Sequence, residues 1–143
     1  MTVPSGFTSA QFSAGFLGMS GPYFLKREAE STIVGCRISD HHMNYIGVAH
    51  GGVLATLADV ALSFQIYDRA DQKLPVSTVS MTTNFLIAAK LGDWVEANAT
   101  IDRFGKRLAY AHGVIRSGDR MLMTMSGVFS IIQPNITPDT TPF

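Results

Sequence analysis

The sequence predicts an α+β domain in which a strongly curved antiparallel sheet wraps around one long helix. The first observation is a helical pattern over about residues 51 to 68, in which the run from Val53 to Phe64 is mostly Val, Leu, Ala or Phe. The second is a change to a period of two after Asp71, which is typical of strands. Because a helix that is apolar nearly all round has no wet face, the sheet has to surround it.

The composition limits the class of molecule before any motif is considered. A chain of 143 residues, 46% hydrophobic and 15% charged, can form one domain with a substantial core, and its scarce polar surface favours an oligomer. Eleven basic and eleven acidic residues cancel without any block of like charge, so nucleic-acid binding is not expected. The sequence contains no run of about 18 apolar residues, so a membrane span is not expected either.

Two features of the sequence favour a cytoplasmic location. The chain has no Lys or Arg before Lys26 and no unbroken apolar run in that region, so its start does not resemble a secretory signal. The single cysteine, Cys36, cannot form an intrachain disulfide. We therefore expect Cys36 to be a small buried residue in a strand.

The first half of the chain is assigned from its periodicity and turn signals. Residues 1–20 form an N-terminal segment, and the nearly helical spacing of apolar residues over 7–18 predicts a short helix there. Residues 22–40 read as a β-hairpin whose turn is the polar stretch 28–31. A loop then leads into the long helix.

The second half predicts a set of long strands. Four stretches alternate with a period of two: residues 76–87, 93–101, 107–116 and 120–132. In the first of them the alternation places Met81 and Phe85 on one face and Thr78 on the other. Short turns join the last three stretches into an antiparallel meander, and residues 133–143 predict a disordered tail. A curved sheet of this kind around one helix is a hotdog fold.

One carboxylate, Asp59, interrupts the apolar run of the predicted helix. At 100° per residue, four residues fall on a single narrow stripe: Gly52, Thr56, Asp59 and Ser63. Because Asp59 lies about two turns inside the helix, it cannot be a cap. Two interpretations stay open, namely a partly exposed acid at a seam between subunits and a base in a cleft.

The stretch His50-Gly51-Gly52 marks the start of the same helix. The first backbone N–H groups of a helix are free and carry the positive end of its dipole, and two glycines let another molecule approach them. Such a terminus can bind an anion or a carbonyl oxygen that becomes one. Because Asp59 lies about 10 Å along the axis, one acyl carbon cannot contact both groups on one helix. We therefore expect a dimer in which the acid faces the glycine terminus of a neighbour.

These residues resemble the signature of the PaaI-type (phenylacetate-pathway) hotdog acyl-CoA thioesterases. The signature is Asn44-x-x-Gly47-x-x-His50-Gly51-Gly52 followed by Leu57-Ala58-Asp59, and the resemblance extends over about residues 20 to 132. It implies one thioesterase domain over residues 21–132 that hydrolyses an acyl-CoA. It also implies a homodimer, often a dimer of dimers, with no metal or redox cofactor, since coenzyme A is part of the substrate.

The resemblance also implies roles for individual residues. The Gly51 N–H, with Asn44 nearby, would polarise the thioester carbonyl, and Asp59 of the partner subunit would activate water or attack directly. Thr78 stands where related enzymes often carry a serine that orients the water, and His50 would shape the helix entrance. Further substrate contacts are expected from the polar edge of the helix and from basic residues near predicted turns: Gly52, Thr56, Lys90, Arg103, Lys106 and Arg107.

Two other functions stay open. The first is a non-catalytic module that binds acyl thioesters. The second is a hotdog enoyl-CoA hydratase, although such enzymes usually use an Asp/His pair in a loop. A serine triad is not supported, because the sequence has no G-x-S-x-G elbow. No metal site is predicted, because His41, His42 and His50 lack the usual ligand spacing. His112 is expected to be structural.

Overall fold

The computed structural model describes residues 2–133 and Phe143, and from residue 22 onward its elements follow the predicted order of hairpin, long helix and four strands. The N-terminal elements and the long helix are β1 (Thr8–Ser9), α1 (Phe16–Ser20), β2 (Tyr23–Arg27), β3 (Thr32–Arg37) and α2 (Gly51–Arg69). The remaining strands are β4 (Val76–Phe85), β5 (Trp94–Phe104), β6 (Leu108–Ser117) and β7 (Arg120–Ile131). In the described part of the chain, neither helix is long and apolar enough to cross a membrane.

The strands form one antiparallel sheet around α2. The strand order is β1-β2-β3-β5-β6-β7-β4, so the last strand at one edge is β4, which pairs with β7. Helix α2 contacts β3, β4, β5, β6 and β7 and buries ten of its residues, from Leu54 to Ile66. The predicted hotdog fold is confirmed. The helix can approach the sheet closely because small side chains face it, namely Ala97, Ala99, Ala109 and Ala111.

The N-terminal segment differs from the prediction over residues 7–18. Helix is present only in α1, and Thr8 pairs instead with Leu25 of β2. The apolar side chains that suggested one helix pack against separate partners: Phe7 lies edge-on to Trp94 at 5.0 Å, and Phe12 lies 5.6 Å from Phe64 of α2. Most of the predicted tail, residues 134–142, lies outside the described residues.

Strand β4 contains a β-bulge that decides where one candidate residue points. The register with β7 shifts between Thr78 and Ser80, and Thr78 is the partner of Phe129, whose side chain is fully buried. Thr78 therefore faces α2, on the same side of the sheet as Met81. The strict alternation that placed these two residues on opposite faces is wrong, because the extra residue Val79 reverses the pattern.

Candidate active site

The carboxylate of Asp59 is held by a residue of the neighbouring strand. Thr78 Oγ1 donates a hydrogen bond of 2.5 Å to Asp59 Oδ1. Asp59 is partly exposed in the single chain, and among the described residues no side chain donates to its second oxygen, Oδ2. One oxygen is thus fixed in place while the other is open to a water molecule or a substrate.

The N-terminus of α2 offers one open N–H group rather than the several that the sequence suggested. His50 is the N-cap, and its Nδ1 accepts the hydrogen of Gly52 N at 2.8 Å. This bond identifies the neutral tautomer, with the proton on Nε2. Within the described part of the chain, the Gly51 N–H has no hydrogen-bond acceptor. The site predicted for an oxyanion is therefore reduced to Gly51, and Gly52 serves the cap.

Asn44 organises the loop in front of the helix through its side-chain oxygen. Asn44 Oδ1 accepts hydrogen bonds from the N–H groups of Ile46 and Val48, each at 3.1 Å. Gly47 closes the turn with a φ of 83°, which favours glycine. Because two N–H donors fix which atom is the oxygen, Asn44 Nδ2 is the group left to donate a hydrogen bond to a ligand.

A pocket with a volume of about 260 Å³ lies beside Gly51. Its walls are backbone and apolar side chains from the start of α2 and from the segment that follows β4: Ala49, Gly51, Leu54, Phe85, Leu86, Ile87, Ala88 and Ala89. An apolar recess next to an open N–H group can hold the hydrocarbon part of an acyl group, with the carbonyl oxygen of that group pointing at the N–H.

The polar stripe on α2 is present, but it does not bring the acid and the open N–H together within one chain. Asp59 stands eight residues after Gly51, which is about 12 Å along the helix axis. Between them, Thr56 Oγ1 donates to Gly52 O at 2.7 Å, and further along Ser63 Oγ donates to Asp59 O at 2.5 Å. These two hydroxyl protons are therefore occupied by the helix backbone.

The four basic residues predicted as substrate contacts lie in two groups. Lys90 follows the apolar pocket, and its backbone N–H donates to Asp93 Oδ2 at 2.8 Å. Arg103 lies near the far end of β5, with Lys106 and Arg107 in the turn that follows. Strand β5 separates the two groups by on the order of 30 Å. All four residues are exposed.

The histidines before α2 tie the N-terminal segment to the loop. His41 Nε2 and His42 Nε2 each lie 2.7 Å from a backbone oxygen, that of Gly21 and that of Ser20. His42 Nδ1 accepts the N–H of Ser39, and burial lowers the pKa of His42 below its ordinary value. In the part of the chain that the structure describes, no three acidic, His or Cys side chains could hold a metal ion together. No pattern in the sequence indicated this tether.

Cys36 and His112 lie away from the candidate site. Cys36 is 1% exposed in β3, and burial raises the pKa of its thiol to about 12, which keeps it protonated. The prediction of a small buried residue is confirmed. His112 is exposed on the outer face of the sheet, where its Nδ1 lies 2.7 Å from Asp102 Oδ1.

Comparison with known proteins adds independent information. The family model described as the thioesterase superfamily matches residues 46–124, more than half of the chain. The chain is 37% identical over 132 residues to "Putative esterase PA0474" of Pseudomonas aeruginosa, and the match covers 92% of this chain and 98% of that protein. It is also 32% identical over 82 residues to "Acyl-coenzyme A thioesterase 13" of Mus musculus. That match covers 57% of this chain and 58% of that protein.

The fold comparison agrees with these matches. A mutant of the phenylacetic acid degradation protein PaaI from Thermus thermophilus superposes with a TM-score of 0.71 at 23% identity. The match covers 80% of this chain and 96% of that one, and it supports the likeness of fold. The sequence match and the hotdog architecture together establish that the chain belongs to the thioesterase superfamily.

Proposed function

We propose that this protein is an acyl-CoA thioesterase that hydrolyses the thioester bond of an acyl- or arylacyl-CoA to a free acid and coenzyme A. The observation that carries the proposal is the hydrogen bond of 2.5 Å from Thr78 to Asp59. It orients one carboxylate oxygen and leaves the other open, which is the arrangement that a general base or a nucleophile requires.

The first half of the mechanism is stabilisation of the carbonyl oxygen. The Gly51 N–H would donate to this oxygen as it becomes negative, and Asn44 Nδ2 is proposed as a second donor from the loop before the helix. One such donor is typically worth about 3 kcal/mol in the transition state. The acyl chain would lie in the apolar pocket next to Gly51, since that pocket offers no competing polar side chain.

The second half is attack on the carbonyl carbon. Asp59 would take a proton from water as the water attacks, or would attack the carbon itself. Thr78 keeps the carboxylate in position through its hydrogen bond. If water attacks, the tetrahedral intermediate expels the sulfur of coenzyme A, and the sulfur takes up the proton that Asp59 removed from the water. If Asp59 attacks, the sulfur leaves as a thiolate and a mixed anhydride stays on Asp59. A water molecule would then hydrolyse this anhydride to the free acid and the regenerated carboxylate, and a proton from that water passes to the thiolate. A positioned base contributes about 10²–10⁴-fold, and thioesters are already activated toward attack.

The site requires two subunits in this proposal. Because Asp59 and Gly51 stand about 12 Å apart along one helix, the acid of one protomer would act with the Gly51 N–H of its partner. Strand β4 supports such a dimer, because it is an edge strand of ten residues with Val79 59% exposed. A free edge of this length can pair with a second copy of itself. Two dimers would then form the tetramer that the PaaI resemblance implies.

The proposal is tested by assaying the hydrolysis of short-chain, long-chain and arylacetyl CoA thioesters. Hydrolysis is monitored as the release of free thiol. We expect turnover of at least one class.

The shared site is tested by mixing two inactive variants, Asp59→Asn and Gly51→Val. In mixed dimers one of the two sites carries neither change, so the mixture should recover about one quarter of the wild-type activity.

Each variant assayed alone is the matched control and should stay inactive. No recovery in mixtures that are shown to exchange subunits would place both groups in one protomer and contradict the shared site. Tight binding of acyl-CoA without turnover by any form would instead favour the acyl-thioester binding module.

Thr78 has a separate prediction. Thr78→Val keeps the shape of the side chain and removes the hydroxyl, so we expect kcat to fall by about tenfold or more, since hydrogen bonds to charged groups are worth about 1.5–3 kcal/mol. Thr78→Ser keeps the donor and should retain most of the activity. The two variants are compared by kcat and KM on the best thioester, and equal rates would show that the hydroxyl does not position Asp59.

A further inference from the structure

We infer that Phe85 is the specificity-determining residue that limits the size of the acyl group, an inference that rests on the proposed thioesterase activity. Phe85 is the last residue of β4, and its ring reaches across to the start of α2. A Cβ atom placed on Gly51 would lie 3.4 Å from Phe85 Cε2 and 3.5 Å from Cζ. The tip of the ring therefore lies directly beside the residue whose N–H is open.

The segment that carries this ring is fixed at both ends. The N–H groups of Leu86 and Ile87 bond to Leu122 O at 2.8 and 3.4 Å. At the other end, Ala49 N donates to Ala89 O at 2.8 Å. This bond joins the segment to the loop that ends at the start of α2. The wall of the pocket is thus built into the backbone, and the size of the pocket depends on the side chains placed there.

The volume of the pocket favours compact acyl groups. A cavity of roughly 150 Å³ lined by similar side chains accommodates a benzene ring, whereas this pocket measures about 260 Å³. A ring with a short linker, or a short branched or linear chain, would therefore fit against Leu54 and Ile87. A long chain that starts from the Gly51 N–H would extend beyond this volume and would run against the Phe85 ring, which lies beside Gly51.

The exposure of Phe85 supports a role in binding rather than in the core. In the single chain Phe85 is 54% exposed, although its strand partner Met123 is fully buried. An aromatic ring that is left half in water beside an apolar recess gains burial when a hydrocarbon group enters. For the same reason, truncation of Phe85 should cost little stability, so the variants should fold.

The test compares Phe85→Ala and Phe85→Trp with wild type on a series of linear acyl-CoA thioesters of increasing length. Phe85→Ala should raise the ratio of kcat/KM for long over short chains by about tenfold or more, and Phe85→Trp should lower it, because one methylene in an apolar pocket changes kcat/KM by about 10–200-fold. Phe104→Ala is the matched control, since that ring is 36% exposed and lies at the end of β5, outside the pocket.

Binding of non-hydrolysable acyl thioethers of coenzyme A is measured in parallel, with the same shift in Kd expected. An unchanged chain-length ratio in folded Phe85→Ala, in both turnover and binding, would overturn the inference while leaving the thioesterase activity in place. Absence of turnover in wild type, together with a shift in thioether binding in Phe85→Ala, would remove the proposed reaction and keep Phe85 as the size determinant.

Discussion

Replacement of Asp59 by asparagine should lower kcat/KM for thioester hydrolysis by about 10²–10⁴-fold. Asparagine has the size of aspartate, and its side-chain oxygen can still accept the hydrogen bond from Thr78. It cannot take a proton from water, and it is not a nucleophile under these conditions. The change therefore removes the chemistry and leaves the contacts of the residue in place.

The assay measures free thiol released from the best acyl-CoA substrate, with circular dichroism and thermal unfolding to show that the variant folds. Asp102→Asn is the matched control, because the carboxylate of Asp102 also has one hydrogen-bonded partner, His112, but lies exposed on the outer face of the sheet. It should keep wild-type activity. Hydrolysis by Asp59→Asn at the wild-type rate would mean that another group supplies the base.

Replacement of Phe129 by alanine should lower the free energy of unfolding by about 3–5 kcal/mol. Phe129 is fully buried near the C-terminal end of β7, between Thr78 of β4 and Ala109 of β6. Its ring also covers Gly127, where an added Cβ would lie 2.8 Å from Phe129 Cε1. Truncation leaves a cavity between sheet and helix that these backbones cannot close.

Urea unfolding monitored by circular dichroism measures this change, with the slope of the transition compared to show that both variants unfold in the same way. Phe104→Ala, the same substitution at a partly exposed ring, should cost far less. A loss below about 1 kcal/mol for Phe129→Ala would mean that the sheet collapses around the missing ring and that the core is less rigid than its packing indicates.

The fold was largely predictable because its strongest signals are local. The apolar run predicted a helix over about residues 51–68, and the structure has it at Gly51–Arg69. Alternation located every long strand, including the buried face of β5 with Val95, Ala97 and Ala99. These patterns depend on which side chains face the core, and that requirement leaves a direct trace in the sequence.

The details of the candidate site were less predictable because they depend on register and on distance in space. The bulge after Thr78 shifts the strand by one residue, and nothing in the sequence of β4 marks the shift. The hydrogen bond from Gly52 N to the His50 ring depends on the side-chain rotamer of His50, which the sequence does not specify. Proximity to turns suggests one group for Lys90 and Arg103, but a strand of eleven residues separates them.

Strand β4 combines two tasks that other proteins often keep apart. It holds Thr78 against the carboxylate, and it forms the outermost ribbon of the sheet. If a second copy docks along that edge strand, the amount of active dimer depends on protein concentration. Dilution below the dissociation constant of the dimer would then abolish turnover before any chain unfolds. Specific activity should then climb with protein concentration and level off once nearly every protomer is paired.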